Sequence, residues 1–589
     1  MAQQLVEDTL TGLVTTLNSS AGSRKRTPFH KDWSFAAKKR KLGHQEEVLA
    51  LEHEVVGDAS EVTLDSASSY DDAYIRHFGS DTPLLKNEGQ PFQSELKRSK
   101  LGVVRLSYVQ GDGEVPIHSN DSLEDILSSY RDVSHLHVGF RTRPKIRQAV
   151  ADHLFRHLSR SQAMIQKNTT SLLKGSNTSG LQDQGFTRPK ILMILPFRNS
   201  APPWISHLSS SSSSKASAWA NLPRFRSEFA LPDGAVDKLV LDADSYPDDH
   251  VENMKGNIDD EFRVGVAYKG NGDWKMWTEF YKSDLIVASP LGLRTTIEKD
   301  GTSDFLSSIE IVVVDQLEAI LMQNWEHLQF IFDRLNKVPK ETRDADFSRI
   351  KPWYLDEKSP LLRQTILLSA LPSPEIHAIE RSSQNMGGKV EIMHAEGGSP
   401  PLQRVAKGLR QIWHRLEVTG NKDDEDDTRF QFFCEKIMAD ARASPNRLSR
   451  TLVYVPSSFD FERIKSYMST TDISFTLLSE DISHSEIARA RQQFFHGKVD
   501  VLILTERFHF FRRYRIRGVS NIIFYSLPTF PHFYSELLSF VSDWNSEESI
   551  QGCQIIFSKY DVLRVKGIVG SKEECVRLFE GSENRFLFV

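Results

Sequence analysis

Ile311-Val312-Val313-Val314-Asp315-Gln316-Leu317-Glu318, running on into Met322-Gln323-Asn324-Trp325-Glu326-His327-Leu328, is the stretch from which the fold follows. Its four leading residues are apolar and rich in β-branched side chains, the character of a strand buried on both faces in a parallel sheet. Asp315 then stands at the carboxyl end of that strand, where open α/β sheets place their ligand chemistry. Leu321, Trp325, Leu328, Phe332 and Leu335 recur at helical spacing, so a helix follows at once. A strand that ends in Asp-x-x-acid and turns into a helix has the outline of a Walker B site. Gln316 occupies the second position, where nucleotide hydrolysis needs an acid.

Working outward, short apolar runs at 191–195, 264–267, 285–288 and 365–368 join 311–314 as strands, with helical patterns and loops between them. The rhythm repeats at 452–455, 475–478, 501–504, 521–525 and 554–557, with a helix around 486–495. Alternation of this kind predicts two successive α/β lobes with parallel sheets, and a cleft between such lobes is the default ligand site. The serine tract 209–214 is expected as a flexible loop inserted in the first lobe.

The predicted organisation is a largely disordered tail over 1–100, a mixed lead-in and linker over 101–184, a first lobe over 185–385, a linker over 386–430 and a second lobe over 431–589. The linker carries the acidic run Asp423-Asp424-Glu425-Asp426-Asp427. In the lead-in, strands are expected at 102–109 and 135–140, followed by a helix over about 146–165 and a Ser/Thr/Asn/Gly linker to 180. Within the tail, Lys25-Arg26 and Lys38-Lys39-Arg40-Lys41 form two basic clusters with a spacing suited to a nuclear import receptor. Asp71-Asp72-Ala73-Tyr74-Ile75-Arg76-His77-Phe78 reads either as a docking peptide that orders on a partner or as a fortuitous polar stretch.

The chain has 589 residues, too many for one core, and a net charge of −6 that confines any nucleic-acid surface to a local patch. Cys434, Cys553 and Cys575 are far apart, with neither a zinc spacing nor a disulfide framework, so no metal is expected and a reducing compartment is. No run approaches a membrane span, and the amino terminus has no secretory pattern.

Several motifs resemble those of the two-lobed DEAD-box RNA helicases. Leu195-Pro196-Phe197-Arg198 resembles their Pro-Thr-Arg motif, and Ala288-Ser289-Pro290-Leu291-Gly292-Leu293-Arg294 their Thr-Pro-Gly-Arg motif. Asp315-Gln316-Leu317-Glu318 stands in the place of Asp-Glu-Ala-Asp, and Ser369-Ala370-Leu371 in that of Ser-Ala-Thr. Thr505-Glu506 and Tyr525-Ser526-Leu527-Pro528 follow in the second lobe. The resemblance implies two tandem RecA-like lobes.

From Gln184 to the carboxyl terminus the chain is similar to the digestive organ expansion factor family. The similarity lies in Gln184-Gly185-Phe186-Thr187-Arg188-Pro189-Lys190, Met322-Gln323-Asn324-Trp325-Glu326-His327, Thr505-Glu506-Arg507-Phe508-His509-Phe510 and Pro531-His532-Phe533-Tyr534-Ser535-Glu536. That family comprises nucleolar factors associated with the U3 small nucleolar RNA that act in the small-subunit processome. The resemblance therefore implies a nuclear, nucleolar role in pre-rRNA processing, with pre-rRNA, U3 small nucleolar RNA and processome proteins as partners and no membrane.

The groups a motor needs are missing from the sequence. No Gly-Lys-Ser/Thr tripeptide exists to cradle phosphates; Gly388-Lys389-Val390 and Gly497-Lys498-Val499 lack the hydroxyl and enter strands rather than leave them. Gln316 cannot accept a proton as a carboxylate can. Asp315 either retains a water-mediated hold on magnesium or serves as a helix cap. Where an arginine finger is expected beyond Leu527-Pro528, the chain reads Glu536-Leu537-Leu538-Ser539-Phe540, with an acid in place of a cation. Asp315, Gln316 and Glu318 are thus read as a degenerate site with no cofactor and no catalysis.

RNA contact is expected instead from Arg198, Ser289 and Arg294 in the first lobe and from Arg507, Arg512, Arg513, Arg515 and Arg517 in the second. The last five interleave with Phe508, Phe510, Phe511 and Tyr514, residue types that bind phosphates and stack on bases. The bland alternative puts these aromatics in the core. The aromatics of 528–538 suit either protein docking or internal packing. The expected function is a non-catalytic helicase-like assembly factor; the alternatives are a divergent ATP-dependent RNA helicase and a protein-interaction scaffold without RNA contact.

Overall fold

The structure is a computed structural model and describes residues 69–89, 91–99, 101–109, 121–174, 181–211, 219–232, 234–270, 272–341, 345–393, 399–439, 448–541 and 552–589. The basic clusters at Lys25, Arg26, Lys38, Lys39, Arg40 and Lys41 lie outside these residues. Two compact units form, one from residues up to 241 together with 255–393, the other from 242–254 together with 399–589.

The first lobe carries strands β1 (Gln93–Ser99), β2 (Gly102–Tyr108), β3 (Asp132–His135), β4 (Ile191–Ile194), β5 (Trp219–Ala220), β6 (Arg263–Gly270), β7 (Asp273–Met276), β8 (Leu285–Ala288), β9 (Ile311–Val314), β10 (Gln364–Leu368) and β11 (Lys389–Ile392). They form one sheet in the order β1-β2-β11-β3-β10-β9-β4-β8-β6-β7-β5. The six central strands from β11 to β8 are mutually parallel. β6, expected as a parallel strand, runs antiparallel to β8.

β9 is buried on both sides, as its composition predicts. Ile311 and Val313 meet the core that contains Val150, Leu154 and Trp204, whereas Val312 and Val314 meet Leu293, Ile320 and Leu328. Full burial of such a side chain contributes about 1.5–3 kcal/mol.

The amino-terminal boundaries differ from the sequence expectation. Residues 69–89 and 91–99 belong to this lobe: the helix Ser69–Phe78 inserts Tyr74 and Phe78, 1% and 0% exposed, against Tyr130 and His157. Tyr74, His77 and Phe78 are therefore core side chains and not a free docking peptide. β2 and β3 likewise bring Gly102–Tyr108 and Asp132–His135 into the sheet, with the strand expected at 135–140 displaced to Asp132–His135. The helix expected over 146–165 spans Arg143–Leu173. At its polar end the hydroxyls of Thr169, Thr170 and Ser171 turn back and donate to carbonyls four residues earlier. Ser209 to Ser211, expected as loop, complete the helix Ala201–Ser211.

The second lobe contains β12 (Arg410–Arg415), β13 (Thr451–Val455), β14 (Phe475–Leu478), β15 (Val501–Thr505), β16 (Asn521–Phe524), β17 (Gly552–Phe557) and β18 (Arg585–Phe588), in the order β14-β15-β13-β16-β17-β12-β18. All pairings are parallel except β12 with β18. The acidic run, expected in a linker, forms the first turns of the helix Lys422–Phe432 under a capping box between Asn421 and Asp424. Acids are stabilising there because they meet the positive end of the helix dipole. Among the described residues no helix is long and apolar enough to cross a membrane.

Candidate functional site

β3, β10 and β9 are parallel neighbours, so their carboxyl ends share one edge of the sheet. The loop 136–142 leaves β3 there and leads into the helix Arg143–Leu173, the strand–loop–helix order of a phosphate-binding loop. Its sequence, Leu136-His137-Val138-Gly139-Phe140-Arg141-Thr142, holds one glycine, and Leu136 and Val138 are buried. Val138 N–H donates to Ser369 O at 2.8 Å, which turns that amide into the fold and away from any anion.

The helix that follows brings two arginines onto the Asp-x-x-acid motif. Arg147 Nε donates to Asp315 Oδ2 at 2.7 Å, and Arg147 Nη2 donates to Gln316 Oε1 at 2.9 Å. Trp204 Nε1 donates to the same Asp315 oxygen at 2.9 Å, and Gln316 N–H to its other oxygen at 2.8 Å. Arg143 Nη2 donates to Glu318 Oε1 at 2.7 Å, while Ala370 N–H reaches Glu318 Oε2 at 2.9 Å. The side chains of Arg143, Arg147, Asp315 and Glu318 are 5%, 6%, 1% and 2% exposed. In a working nucleotidase the cationic helix start and the motif carboxylates face each other across a metal-bound triphosphate. Here they touch.

Asp315 is not the helix cap that one reading of the sequence made it. Gln316 holds the cap position before the short helix Leu317–Leu321, in the left-handed region at φ 55°, without a side-chain capping bond. Glu318 links the long helix to the Ser369-Ala370 loop, so that motif survives as a structural joint.

The same helix is pinned at its far end. His157 Nε2 lies 3.0 Å from Glu310 Oε2, just before β9. From Arg147 to His157 the helix rises about 15 Å, and from Asp315 back to Glu310 the strand spans about 16 Å. Helix and strand are thus matched in length, joined by the Arg147–Asp315 ion pair at one end and by the His157–Glu310 contact at the other. Glu310 also meets Lys190 at 3.0 Å, Lys351 at 3.2 Å and Tyr354 Oη at 3.0 Å. Burial pushes its carboxyl up, but Lys190 and Lys351 outweigh this and hold it well below the usual range.

The first-lobe residues expected to touch RNA have internal roles. Ser289 is fully buried, caps the helix Pro290–Asp300 through Gly292 N–H and donates to Asp260 O. Gly292 lets that helix approach: a Cβ there would lie 2.2 Å from Phe262 O. Arg198 donates to Glu228 O and Glu261 O and pairs with Asp259 at 3.2 Å. Arg294 bonds Glu298 at 2.8 Å and lies over the Phe330 ring.

In the second lobe, the arginine–aromatic run divides by exposure. Phe508 and Phe510 are core, on the helix Glu506–Arg512, and Arg512 is 9% exposed. Arg513, at φ 47°, donates to Glu536 at 2.8 Å and to Asp249 at 3.2 Å. The acid found in place of the arginine finger is therefore a partner for Arg513, and burial against the pull of His509 and Arg513 leaves Glu536 at about 2. Arg507 pairs with Glu480 at 3.4 Å. Arg515 and Arg517 are exposed. Thr505 caps the helix and Glu506 binds Thr529 through both oxygens, so this pair also fixes the fold. Phe530, Phe533 and Tyr534, considered for a docking face, are buried against Phe510, His509 and Phe524.

For a metal, His377, Glu380 and Glu391 bring ligand atoms within 4.8 Å of one another, among the described residues. Glu391 is already paired with Arg105 at 2.6 Å and Glu380 with His377 at 3.1 Å, an arrangement complete without an ion.

Sequence reasoning missed Arg143 and Arg147. The signal was present: cations four apart in the first turns of a helix oppose its dipole, so they need acids elsewhere in the fold.

Residues 130–390 match the family model described as UTP25, NTP hydrolase-like domain, and residues 401–588 match Utp25, C-terminal domain. The chain is 36% identical over 486 residues to the U3 small nucleolar RNA-associated protein 25 homolog of Xenopus tropicalis, covering 79% of this chain and 61% of that protein. It is 36% identical over 457 residues to U3 small nucleolar RNA-associated protein 25 of Schizosaccharomyces pombe, covering 76% and 68%. The chain thus spans less than two thirds of the frog relative's length. Among solved structures, the yeast DEAD-box splicing factor Prp28 aligns at 13% identity over 77% of this chain and 81% of that one, with a TM-score of 0.25.

Proposed function

This chain belongs to the UTP25 family, and on that premise we propose that it is a helicase-like assembly factor of the small-subunit processome that does not turn over nucleotide. In this reading it works in the nucleolus, associates with U3 small nucleolar RNA, pre-rRNA and processome proteins, and supports pre-rRNA processing as a clamp-like scaffold. The names carried by its relatives support the setting.

The observation that carries the non-catalytic part is the direct pairing of Arg147 with Asp315 and of Arg143 with Glu318. Both carboxylates that would serve a metal and a water have buried guanidinium partners. Opening either pair leaves a charge unpaired in the core, typically at a cost of about 3–5 kcal/mol. The alternative of a divergent ATP-dependent helicase requires nucleotide to displace both.

The test has two parts. Purified full-length protein is expected to show no ATP hydrolysis above background, with or without RNA. Depletion of the protein from cells is expected to accumulate unprocessed pre-rRNA, reversed equally by the wild type and by an Asp315→Asn variant that folds. RNA-stimulated hydrolysis would overturn the non-catalytic reading; normal processing after depletion would overturn the processome reading.

A further inference from the structure

We propose that the second lobe binds single-stranded RNA at the amino ends of its parallel strands, across the seam between the helix His484–Phe495 and the segment 513–520. The inference rests on the reading of this chain as an RNA-associated factor and names where the RNA sits. The helix leads through Gly497 into β15, and the segment leads through Gly518 into β16, so both arrive at the same end of the sheet. That end is opposite to the one where Thr505 closes β15 and where the inherited helicase-like motifs lie.

The seam is built by specific contacts. Gly518 sits at φ 79°, and a Cβ on it would lie 3.3 Å from the Phe495 ring, so the segment runs hard against the end of the helix. One turn back, Arg491 lies over the Tyr514 ring at 4.6 Å and donates to Arg515 O at 3.4 Å. Ile516 is 2% exposed and anchors the segment, which turns Arg515 and Arg517 outward on either side of it.

The outward surface has the chemistry of an unpaired nucleic-acid strand. Phe495 is 47% exposed although it is a large apolar ring. Among the described residues, no ion pair holds the guanidinium of Arg515 or Arg517, unlike those of Arg507 and Arg513. Acids on the same helix and its exit are turned elsewhere: Glu486 accepts from the N-cap Ser483, and Asp500 accepts from Ser474. In a chain with a net charge of −6 this is a local positive face, complementary to a polyanion. Among the described residues, Phe495 is the one large apolar side chain exposed along this seam, a small footing for a protein partner. A duplex would hide its base faces, whereas unpaired bases stack on an exposed ring and on arginine planes.

The experiment is fluorescence anisotropy of the full-length protein with a fluorescein-labelled 20-nucleotide oligouridine and with an RNA duplex of equal length. Arg515→Glu/Arg517→Glu is expected to weaken oligouridine binding at least tenfold and to reduce the salt slope by about one to two. Phe495→Ala is expected to weaken it about fivefold or more without changing the slope. Lys299→Glu, an exposed charge on the first lobe, is expected to change neither. Arg515→Gln/Arg517→Gln with an unaltered melting temperature separates lost contact from lost folding.

Unchanged affinity in both double variants overturns the proposal, as does equal binding of duplex and oligouridine. So does retention of RNA affinity with loss of a co-purifying protein, which would make the surface a protein contact. In all of these cases the processome reading stands if the wild type still sediments with pre-ribosomal particles, and it falls if the wild type does not.

Discussion

Arg147 and Asp315 are joined at 2.7 Å with side chains 6% and 1% exposed, a buried ion pair at the head of the Asp-x-x-acid motif. A buried pair of this kind is fragile to the loss of one member and tolerant of the loss of both. Asp315→Ala alone is expected to destabilise the first lobe by about 3–5 kcal/mol, because the guanidinium of Arg147 keeps only Gln316 as acceptor. Arg147→Met with Asp315→Ala is expected to recover most of that loss. Urea titrations of the four proteins of this cycle measure the coupling; additive losses would show that the pair is incidental to stability.

The strands of both lobes were legible wherever apolar residues dominate, as at β4, β9, β13 and β15, since local pattern and burial agree there. β3 was not. Asp132-Val133-Ser134-His135 has one apolar residue, yet Asp132, Val133 and Ser134 are buried. Asp132 is satisfied by Thr365 N–H, Asn385 and Ser383, partners more than 230 residues away that no local window contains. The lack of a Gly-Lys-Ser/Thr tripeptide could be read from the sequence, but the pairing of Arg143 and Arg147 with the Asp-x-x-acid motif could not. Recognising Arg143 and Arg147 as partners of Glu318 and Asp315 requires knowing that their helix crosses β9 at a matching length.

Acid is expected to weaken the first lobe before its carboxylates titrate. Burial pushes His77 down to about 4 and His153 to about 3, and lowers His157 as well. The unfolded chain takes up these protons first, so their contribution is full above about pH 6.5 and falls as pH drops below it. Between pH 7 and 5, His77 and His153 each cost about 2 kcal/mol, and His157 acts in the same direction. Burial raises Asp132 and Glu318, which act in the opposite direction. His153→Gln keeps a donor for Gln364 and isolates the histidine term. Its melting temperature is expected to depend less on pH over 5 to 7 than that of the wild type; identical profiles would exclude the histidine as a source.

Gly292, within the stretch that resembles an RNA-gripping motif, is expected to matter for packing whether or not RNA is present. A Cβ there would meet Phe262 O at 2.2 Å and Phe262 C at 2.8 Å, both of them main-chain atoms that cannot swing away. Gly292→Ala is expected to cost about 1–3 kcal/mol by overpacking. Thermal unfolding of the free protein checks this, and an unchanged melting point combined with weakened RNA binding would return the motif to its helicase role.

Gln316→Glu restores by one substitution the acid that the Walker B outline lacks, and it is expected to restore no activity. Residue 316 accepts from Arg147 Nη2 at 2.9 Å, so a carboxylate there adds a second anion to a guanidinium already bound to Asp315. That second anion is buried with one cation to share, so stability is expected to hold or fall. Adding Arg143→Ala and Arg147→Ala would remove the occupants, but the loop 136–142 still supplies no cradle, because Val138 N–H is bonded to Ser369 O. Phosphate release from ATP, measured with and without RNA, is therefore expected at background for the single and the triple variant alike. Turnover by Gln316→Glu alone would mean that nucleotide displaces both arginines, and the two buried pairs would then be a resting state of an enzyme.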